Sequence, residues 1–391
     1  MRLIADMDNF DLSRKFHTLW HLPKLPLTEM VGNYLSSFES YDQELLICTD
    51  SGHVQVKNQL PPALLYAESE YTYRTADSFK STGGILVFQE FLNKVSGTNH
   101  FHSIVDIGGN DLALALLVGD CGNHCTVIDP VCSSIDGQTV DNIYVLGRLV
   151  ENVDLSSDIE PPDLVICRHT LEHFSDPRQV INQCFQQCHS DCLYVVEIPC
   201  FESLVEGLRF DAIFHQHYHY FDLKTLKQLI WECGGEYIDH SYNYQGSCGG
   251  ALLIAFKKAA QPQPQPIRID IEDRIAYIER RIKLYTQQME VMGTLLQQLP
   301  EPVYGYGAGL MIATLGYHLR TDFSNLICVL DDDPSKDDMT YKNVPVKVKF
   351  TGNETPPPNS SYIVTSLENI RPIYRRIQDL TPRRVLIPIV C

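Results

Sequence analysis

Between residues 102 and 256, short apolar runs alternate with stretches of helical periodicity, and this alternation constrains the fold more than any other feature. Alternating strand and helix signals predict a mostly parallel sheet with helices on both faces, which is an α/β fold. The strand-like runs are HSIVDI, HCTVIDP, DNIYVLG, DLVICRH, CLYVVEIP and ALLIAF.

Changes of composition divide the chain into three predicted parts. Residues 1–80 show no clear period and carry short apolar pieces between turn residues, which is typical of a small irregular β-rich module. Residues 81–258 hold the alternating pattern. The Pro/Gln-rich segment KKAAQPQPQPIR disfavours helix and strand and indicates a linker. Beyond it, a long helical pattern and a second strand–glycine turn, PVYGYGAG, predict a smaller Rossmann-like α/β domain over residues 259–391.

Charge and cysteine usage exclude several functions. A formal charge of −18 without a run of Lys or Arg argues against nucleic-acid binding. The first residues lack a signal-peptide core, and no apolar run of about 18 residues predicts a membrane span. We therefore expect a cytoplasmic protein without a membrane partner, whose 13 cysteines are reduced. Close pairs such as Cys121 and Cys125 lack a second pair at zinc-site spacing, so no metal site is predicted.

The turn VDIGGND, which follows the first strand-like run, predicts a cofactor site. Its glycines allow a sharp turn and close approach of the backbone to a ligand, and Asp129 ends the next strand about twenty residues later, where a carboxylate can bind ribose hydroxyls. The turn lacks the third glycine of a dinucleotide fingerprint, so it suits S-adenosylmethionine better. A turn that serves packing alone is the alternative. The predicted cofactor contacts are Asp106, Gly108, Gly109, Asn110, Asp111, Asp129, Pro130 and Arg168.

Two histidine-containing segments are candidates for the reaction site. DLVICRHTLEHFSDP places His169 and His173 at the carboxyl end of a strand, the edge where open α/β sheets bind ligands. FDAIFHQHYHYFD interleaves three histidines with aromatic residues, and imidazole suits general-base chemistry near neutral pH. Packing and capping roles are the alternative for both segments.

The order of these motifs resembles the sugar C-methyltransferases that act on nucleotide-linked 4-keto-deoxysugars. The resemblance rests on IGGND, IDP, LEHFSDP, VVEIP, FHQHYHYF, QGSCGGALL, GYGAG and DDDPSK, and it covers nearly the whole chain. It implies a small N-terminal zinc module, a central S-adenosylmethionine domain with the class I methyltransferase fold, and a C-terminal Rossmann-like domain that covers the sugar nucleotide. In that family the block reads Tyr-His-Glu-His-x-x-Tyr-Phe and its second histidine is the base, which is His217 here.

The chain departs from the family pattern at three informative positions. Phe214 and Gln216 stand where the family has Tyr and Glu, which removes a hydroxyl donor and a charge. Ser51 replaces the second cysteine of the zinc segment, so we predict an N-terminal module without zinc. The resemblance implies His217 as the base and Tyr71 and Tyr73 as substrate contacts. Because Phe214 cannot donate a hydrogen bond, the candidate donors to the substrate oxygen are His173, His169 and these tyrosines. The predicted catalytic residues are therefore His217, His173 and Gln216, and the predicted substrate contacts are Tyr71, Tyr73, His169, Phe214 and Tyr220.

The function that follows is methylation of a nucleotide-linked ketosugar at carbon. His217 would remove the proton beside the ketone, and the resulting enolate would attack the sulfonium methyl of S-adenosylmethionine. The alternatives are an O- or N-methyltransferase, and a non-catalytic binding or assembly protein that keeps the two nucleotide folds. A nicotinamide-linked sugar-nucleotide enzyme that uses GYGAG fits the acidic strand ends less well.

Overall fold

The computed structural model describes residues 15–28, 31–32, 39–65, 79–98, 100–265 and 268–389. Tyr71 and Tyr73, two of the predicted substrate contacts, lie outside these residues. Among the described residues, no helix has the length and apolar character needed to cross a membrane.

The N-terminal part forms a small antiparallel sheet. Strands β1 (Phe16–Pro26), β2 (Ser40–Cys48) and β3 (Val54–Val56) pair in that order, and a short helix, α1 (Pro62–Leu65), follows. The apolar pieces ELLICTD and HVQVKN indicated β2 and β3. The longest of these strands, β1, was missed, because FHTLWHLPKLP contains two prolines and its pairing with β2 shifts register between Leu22 and Leu25.

The central part is built on an eight-stranded mixed sheet, and the predicted α/β fold is confirmed. Strands β7, β5, β4, β8 and β9 run parallel, β12 is antiparallel to both β9 and β11, and β6 is antiparallel to β7. The elements are α2 (Phe79–Ser96), β4 (Phe101–Ile107), α3 (Ala113–Val118), β5 (Gly122–Ile128), β6 (Thr139–Val140), β7 (Ile143–Leu146), β8 (Leu164–Arg168), α4 (Pro177–Gln187), β9 (Leu193–Pro199), α5 (Phe201–Glu206), β10 (His219–Tyr220), α6 (Leu223–Glu232), β11 (Gly235–Asn243) and β12 (Ala251–Lys258).

Helices cover both faces of this sheet, which explains why its central strands are largely apolar. Val105 and Ile107 of β4 face a core that α4 and α6 complete. Ile104, on the opposite side of the same strand, faces a core that α2 and α3 complete. The polar and glycine residues that follow each parallel strand therefore collect at one edge.

The C-terminal part is a second α/β unit with a five-stranded sheet, all of whose pairs are parallel. The strand order is β15-β14-β13-β16-β17. Its elements are α7 (Ile271–Gln297), β13 (Val303–Tyr306), α8 (Ile312–Leu319), β14 (Val329–Asp331), β15 (Val348–Phe350), β16 (Ser361–Val364), α9 (Ile370–Asp379) and β17 (Arg384–Leu386). The helix and the strands predicted from the sequence are present, whereas the domain boundaries at residues 80 and 258 stay predictions.

The histidine-rich block joins the N-terminal sheet to the central part. Strand β10, which lies within that block, pairs antiparallel with β3 and becomes the fourth strand of the N-terminal sheet. A shared apolar core extends this contact, because Leu22 of β1, Phe210 of the block and Tyr285 of α7 belong to one buried cluster. The N-terminal sheet is therefore packed directly against the segment that carries the predicted base.

Candidate active site

The glycine turn after β4 is tightly constrained. Gly108, Asn110 and Leu112 have φ angles of +79°, +45° and +64°, a region that costs energy for residues with a side chain. A methyl group on Gly108 would lie 2.0 Å from Oγ1 of Thr170, and one on Gly109 would lie 2.8 Å from Cγ1 of Val127. Packing against the loop after β8 and against β5 therefore requires both glycines, whether or not a ligand binds against the turn.

Asp129 ties the end of β5 to this turn. One carboxylate oxygen accepts a 2.8 Å hydrogen bond from the amide of Asn110, and the other accepts a 2.8 Å bond from the amide of Val131. Pro130 begins the short 3-10 helix that follows, and Asp111 accepts a 3.3 Å bond from the amide of Ala113. Each oxygen of Asp129 keeps acceptor capacity, so the carboxylate can still receive the hydroxyls of a ribose.

Asp106 is an unpartnered carboxylate beneath the glycine turn. It is 1% exposed, and neither of its oxygens accepts a hydrogen bond from the residues that the structure describes. Burial, followed by the nearby charge of Asp129, raises its pKa to about 7. A buried carboxylate of this kind favours a cationic ligand. S-adenosylmethionine carries a sulfonium and an ammonium group, so the residues around this turn fit that cofactor.

A buried chain of alternating charges lies beside the turn, at the ends of β8 and β9. Nε of Arg168 donates a 2.5 Å hydrogen bond to Glu197, and Nε2 of His169 lies 3.6 Å from the other oxygen of Glu197. Nδ1 of His169 lies 3.7 Å from Oε1 of Glu172. Burial lowers the pKa of His169, but the charge of Glu197 and the two carboxylate contacts outweigh it and raise this pKa to about 9. The imidazole of His169 is therefore protonated at neutral pH.

Glu197 was not singled out from the sequence, although VVEIP contains it. The signal was available, because an ionisable residue within an otherwise apolar, buried strand needs a charged partner. Burial raises the pKa of Glu197, but His169 and Arg168 lower this pKa by a larger amount, so the net shift is downward. The structure thus engages Arg168, a predicted cofactor contact, in an ion pair at the sheet edge.

His217 faces Glu172 and His173 across this site. Oε1 of Glu172 lies 3.9 Å from Nε2 of His217 and 3.9 Å from Nε2 of His173, and the two imidazole rings are 4.9 Å apart. The ring of Phe214 lies 4.2 Å from that of His217. Burial, followed by the proximity of the His173 imidazole, lowers the pKa of His217 to about 3, so the His217 imidazole is neutral.

Glu172 is the residue that these histidines share. It is 1% exposed, and neither carboxylate oxygen accepts a hydrogen bond from the described part of the chain. Burial raises the pKa of Glu172, but the interaction with His169 and the proximity of the His173 and His217 imidazoles lower it to about 2. The site therefore holds an ionised carboxylate surrounded by imidazoles.

Two hydrogen bonds connect the loop after β8 to the histidine-rich block. The amide of Tyr218 donates to the carbonyl of Glu172 at 2.9 Å, and Nδ1 of His173 donates to the carbonyl of Gln216 at 2.7 Å. The predicted site residues His217, His173, His169, Gln216 and Phe214 therefore lie together. The Tyr220 hydroxyl accepts a 3.1 Å bond from the amide of Phe214, so it holds the block in shape, and a substrate contact from Tyr220 stays a prediction.

The N-terminal sheet holds the block from the other side. His215 accepts a 3.1 Å bond from Nε2 of Gln43 through Nδ1 and donates a 3.1 Å bond to the carbonyl of Leu25 through Nε2. His219 pairs with His53 at 2.9 Å. The sequence indicated that His215 would point away from His217 if the block were extended. His215 does lie on the other side, but residues 214–217 form a turn, with the His217 amide bonded to the carbonyl of Phe214 at 3.3 Å.

Tertiary structure also brings together three side chains of types that bind metal ions. Among the described residues, Glu172, His173 and His217 bring one ligand atom each to within 4.8 Å of one another. The sequence does not predict such a group, because two neighbouring histidines, His169 and His173, cannot fill a coordination sphere alone and His217 lies more than forty positions away. In the N-terminal sheet, Ser51 accepts a 3.3 Å bond from the amide of His53, and a module without zinc stays a prediction.

Comparisons with known proteins identify the central part. Residues 76–240 match the family model described as a methyltransferase domain. A curated relative, the C-methyltransferase NovU of Streptomyces niveus, is 23% identical over 256 residues, which cover 61% of this chain. The chain spans 58% of the length of that relative.

Solved structures include distant likenesses. The N-methyltransferase NodS of Bradyrhizobium japonicum, in complex with S-adenosyl-L-homocysteine, is 14% identical with a TM-score of 0.38, over 50% of this chain and 96% of NodS. The PH0226 protein of Pyrococcus horikoshii is 13% identical with a TM-score of 0.35, over 48% of this chain and 95% of that protein. Both TM-scores are below 0.5, which is too low for either likeness to support a conclusion about this chain. Residues 76–240, which are less than half of the chain, match the methyltransferase domain model, and the residues around the glycine turn fit S-adenosylmethionine as the cofactor.

Proposed function

We propose that the chain methylates a carbon atom of a nucleotide-linked ketosugar, with His217 as the general base. The observation that carries this proposal is the pairing of a buried, neutral imidazole with the ionised carboxylate of Glu172, 3.9 Å away. Both lie beside the strand ends that carry the predicted cofactor residues. The sugar nucleotide and the role of His217 come from the family resemblance. The relative named a C-methyltransferase supports methylation at carbon.

The first chemical step is removal of a proton from the carbon beside the ketone. A neutral imidazole can accept that proton through the lone pair of Nε2. The low pKa of His217 makes it available at neutral pH but also makes it a weak base. The charge of Glu172 compensates in part, because it attracts the imidazolium that forms.

The enolate produced in this step needs a positive group near its oxygen. Phe214 has no hydroxyl to donate, whereas His169 is protonated and faces the same Oε1 of Glu172 as His217 does. A preorganised cation in a buried site stabilises developing negative charge strongly. We therefore assign His169 to the enolate oxygen. When bound, S-adenosylmethionine supplies the electrophilic methyl group that the carbanion attacks.

The C-terminal unit has a polar edge suited to the nucleotide. The hydroxyl of Tyr306, at the end of β13, donates a 2.7 Å bond to Asp332, and Nε of Arg376 donates a 3.1 Å bond to the same carboxylate. Carboxyl ends of parallel strands are the usual ligand-binding edge of such sheets. In this proposal, that edge covers the nucleotide while the sugar reaches His217.

Transfer to oxygen or nitrogen is the second candidate function. Phe214 and Gln216 favour it, because this chain lacks the hydroxyl and the charge that the resembling family has beside the base. A base at His217 could equally remove a proton from a hydroxyl group.

Product analysis separates these functions. The full chain is incubated with S-adenosylmethionine labelled with carbon-13 in its methyl group and a panel of nucleotide-linked ketosugars. We expect a mass gain of one methyl and a carbon-13 NMR signal from a methyl bonded to carbon. The control is the His217→Asn variant, which should form the product at least about a hundredfold more slowly. A methyl signal from an ether or an amine would replace the first proposal with the second, and no product from any sugar would contradict both.

A further inference from the structure

We propose that Glu172, His173 and His217 form a transition-metal site, and that an ion bound there inhibits the enzyme. Binding of a metal ion by these residues does not depend on the proposed function. Inhibition by the ion does rest on the proposed function, because the ion would occupy the nitrogen of His217 that accepts the proton.

The donor set is suited to a borderline-soft divalent ion such as Zn²⁺ or Co²⁺. Two imidazole nitrogens and one carboxylate oxygen are a common set of three protein ligands for zinc, with a fourth position left for water. Oε1 of Glu172 lies 3.9 Å from Nε2 of each histidine, and all three ligand atoms lie within 4.8 Å of one another.

The spacing permits one ion to reach all three atoms. Zinc bonds of about 2.0–2.2 Å place two tetrahedral ligands roughly 3.4 Å apart. Each distance from Glu172 to a histidine must therefore contract from 3.9 Å by about half an ångström, and the two imidazole nitrogens must approach from at most 4.8 Å to about 3.4 Å. Movements of this size are within reach of side-chain rotation. The movement breaks no hydrogen bond of Glu172, because neither of its oxygens accepts one from the described residues.

Surrounding contacts already orient the ligands. Nδ1 of His173 donates to the carbonyl of Gln216 at 2.7 Å, and this leaves Nε2 with its lone pair directed at the group. Metal-bound histidines commonly make such a bond through their second nitrogen, and it fixes the ring and its tautomer. The bond from the amide of Tyr218 to the carbonyl of Glu172 holds the two contributing loops together.

Neighbouring charges make this a reversible site. Arg168, a permanent cation, already pairs with Glu197 beside the site, so Glu172 is the one carboxylate among the three ligands. Glu172 neutralises only one of the two charges of a divalent ion, and the remaining positive charge in a buried site limits the affinity. We expect the ion to be removed by a chelator.

The binding test uses Co²⁺ as a spectroscopic probe of the full chain, after treatment with a chelator and desalting. We expect a saturable visible absorption at one Co²⁺ per chain, displaced by Zn²⁺. His173→Asn and Glu172→Gln should each weaken Co²⁺ binding at least about tenfold, as loss of a first ligand costs no less than loss of its hydrogen-bond partner. The matched control is His169→Gln, which removes an imidazole facing Glu172 but none of the three ligands and should keep the stoichiometry.

The activity test adds Zn²⁺ to the working enzyme. We expect inhibition that a chelator reverses and that His173→Asn makes less sensitive to Zn²⁺, whatever the residual rate of that variant. Absence of a saturable Co²⁺ spectrum, or unchanged binding in both ligand variants, overturns the metal site. Activation by Zn²⁺ overturns the inhibitory role. A normal Co²⁺ spectrum from a chain without methyltransferase activity would contradict the proposed function and leave the site in place.

Discussion

The amide of Tyr218 donates a 2.9 Å hydrogen bond to the carbonyl of Glu172, and this bond joins two segments that lie more than forty positions apart in the chain. Because of it, a histidine from each segment faces the Glu172 carboxylate at the edge of the central sheet. The chemistry proposed for this protein depends on that junction.

The first prediction concerns cofactor binding by Asp129. Asp129→Asn keeps a polar side chain beside the turn but removes the charge that would strengthen hydrogen bonds to a ribose. We expect the affinity for S-adenosylmethionine, measured by calorimetry, to fall by about 1.5–3 kcal/mol. Alanine is a poorer choice, because it removes both bonds from the amides of Asn110 and Val131, whereas the one amide oxygen of asparagine can still accept one of them.

The C-terminal unit offers a matched control for this change. Asp331 ends β14 and accepts bonds from the amides of Ala308 at 2.7 Å and Asp333 at 3.0 Å, the same arrangement as at Asp129. Asp331→Asn should leave S-adenosylmethionine affinity unchanged. Equal affinities for all three proteins would place the cofactor elsewhere.

The second prediction is a pH dependence of cofactor binding through Asp106. Its pKa is raised to about 7, so the carboxyl is neutral below this pH and anionic above it. An anion attracts a cationic ligand, so S-adenosylmethionine affinity should increase as the pH rises through about 7. Asp106→Asn should flatten this dependence. A wild-type affinity that is constant from pH 6 to pH 8 would show that Asp106 does not meet the cofactor's charge.

The third prediction separates the two neighbouring histidines of the block. His215 is buried and bonds both Gln43 and the carbonyl of Leu25, so His215→Ala leaves buried polar groups without partners. We expect the free energy of unfolding to fall by about 1–3 kcal/mol. Denaturation with urea measures this, and His215→Gln should recover part of the loss. An unchanged midpoint for His215→Ala would mean that the N-terminal sheet does not hold the block through this side chain.

The fourth prediction concerns zinc in the N-terminal sheet. Cys48 is buried and unpaired, and Ser51 stands where a second cysteine ligand would be needed. Treatment with a chelator should therefore leave the melting temperature of the full chain unchanged. The contradicting result would come from the His173→Asn variant. If this variant retained stoichiometric zinc, and removal of the zinc lowered its melting temperature, a structural zinc site would exist outside the Glu172 group.

Much of the fold could be predicted from local patterns, because parallel strands buried on both faces are continuous apolar runs. Strand β11 escaped detection, since GEYIDHSYN is mostly half-buried at the edge of the sheet and alternates poorly. The glycine turn and the acidic residues at the strand ends could also be recognised from local sequence patterns. The role of Glu172 could not be recognised, because its importance comes from His217, which only tertiary structure brings to 3.9 Å.

The His217→Asn variant tests the central claim most directly. Asparagine is close in size to imidazole and cannot act as a base at neutral pH. We expect folding and S-adenosylmethionine binding to be preserved, and turnover on a ketosugar substrate to fall by about 10² to 10⁴, the usual contribution of a general base. Normal turnover by His217→Asn, together with its loss in His173→Asn, would show that the proton leaves through His173 and would contradict the assignment of His217.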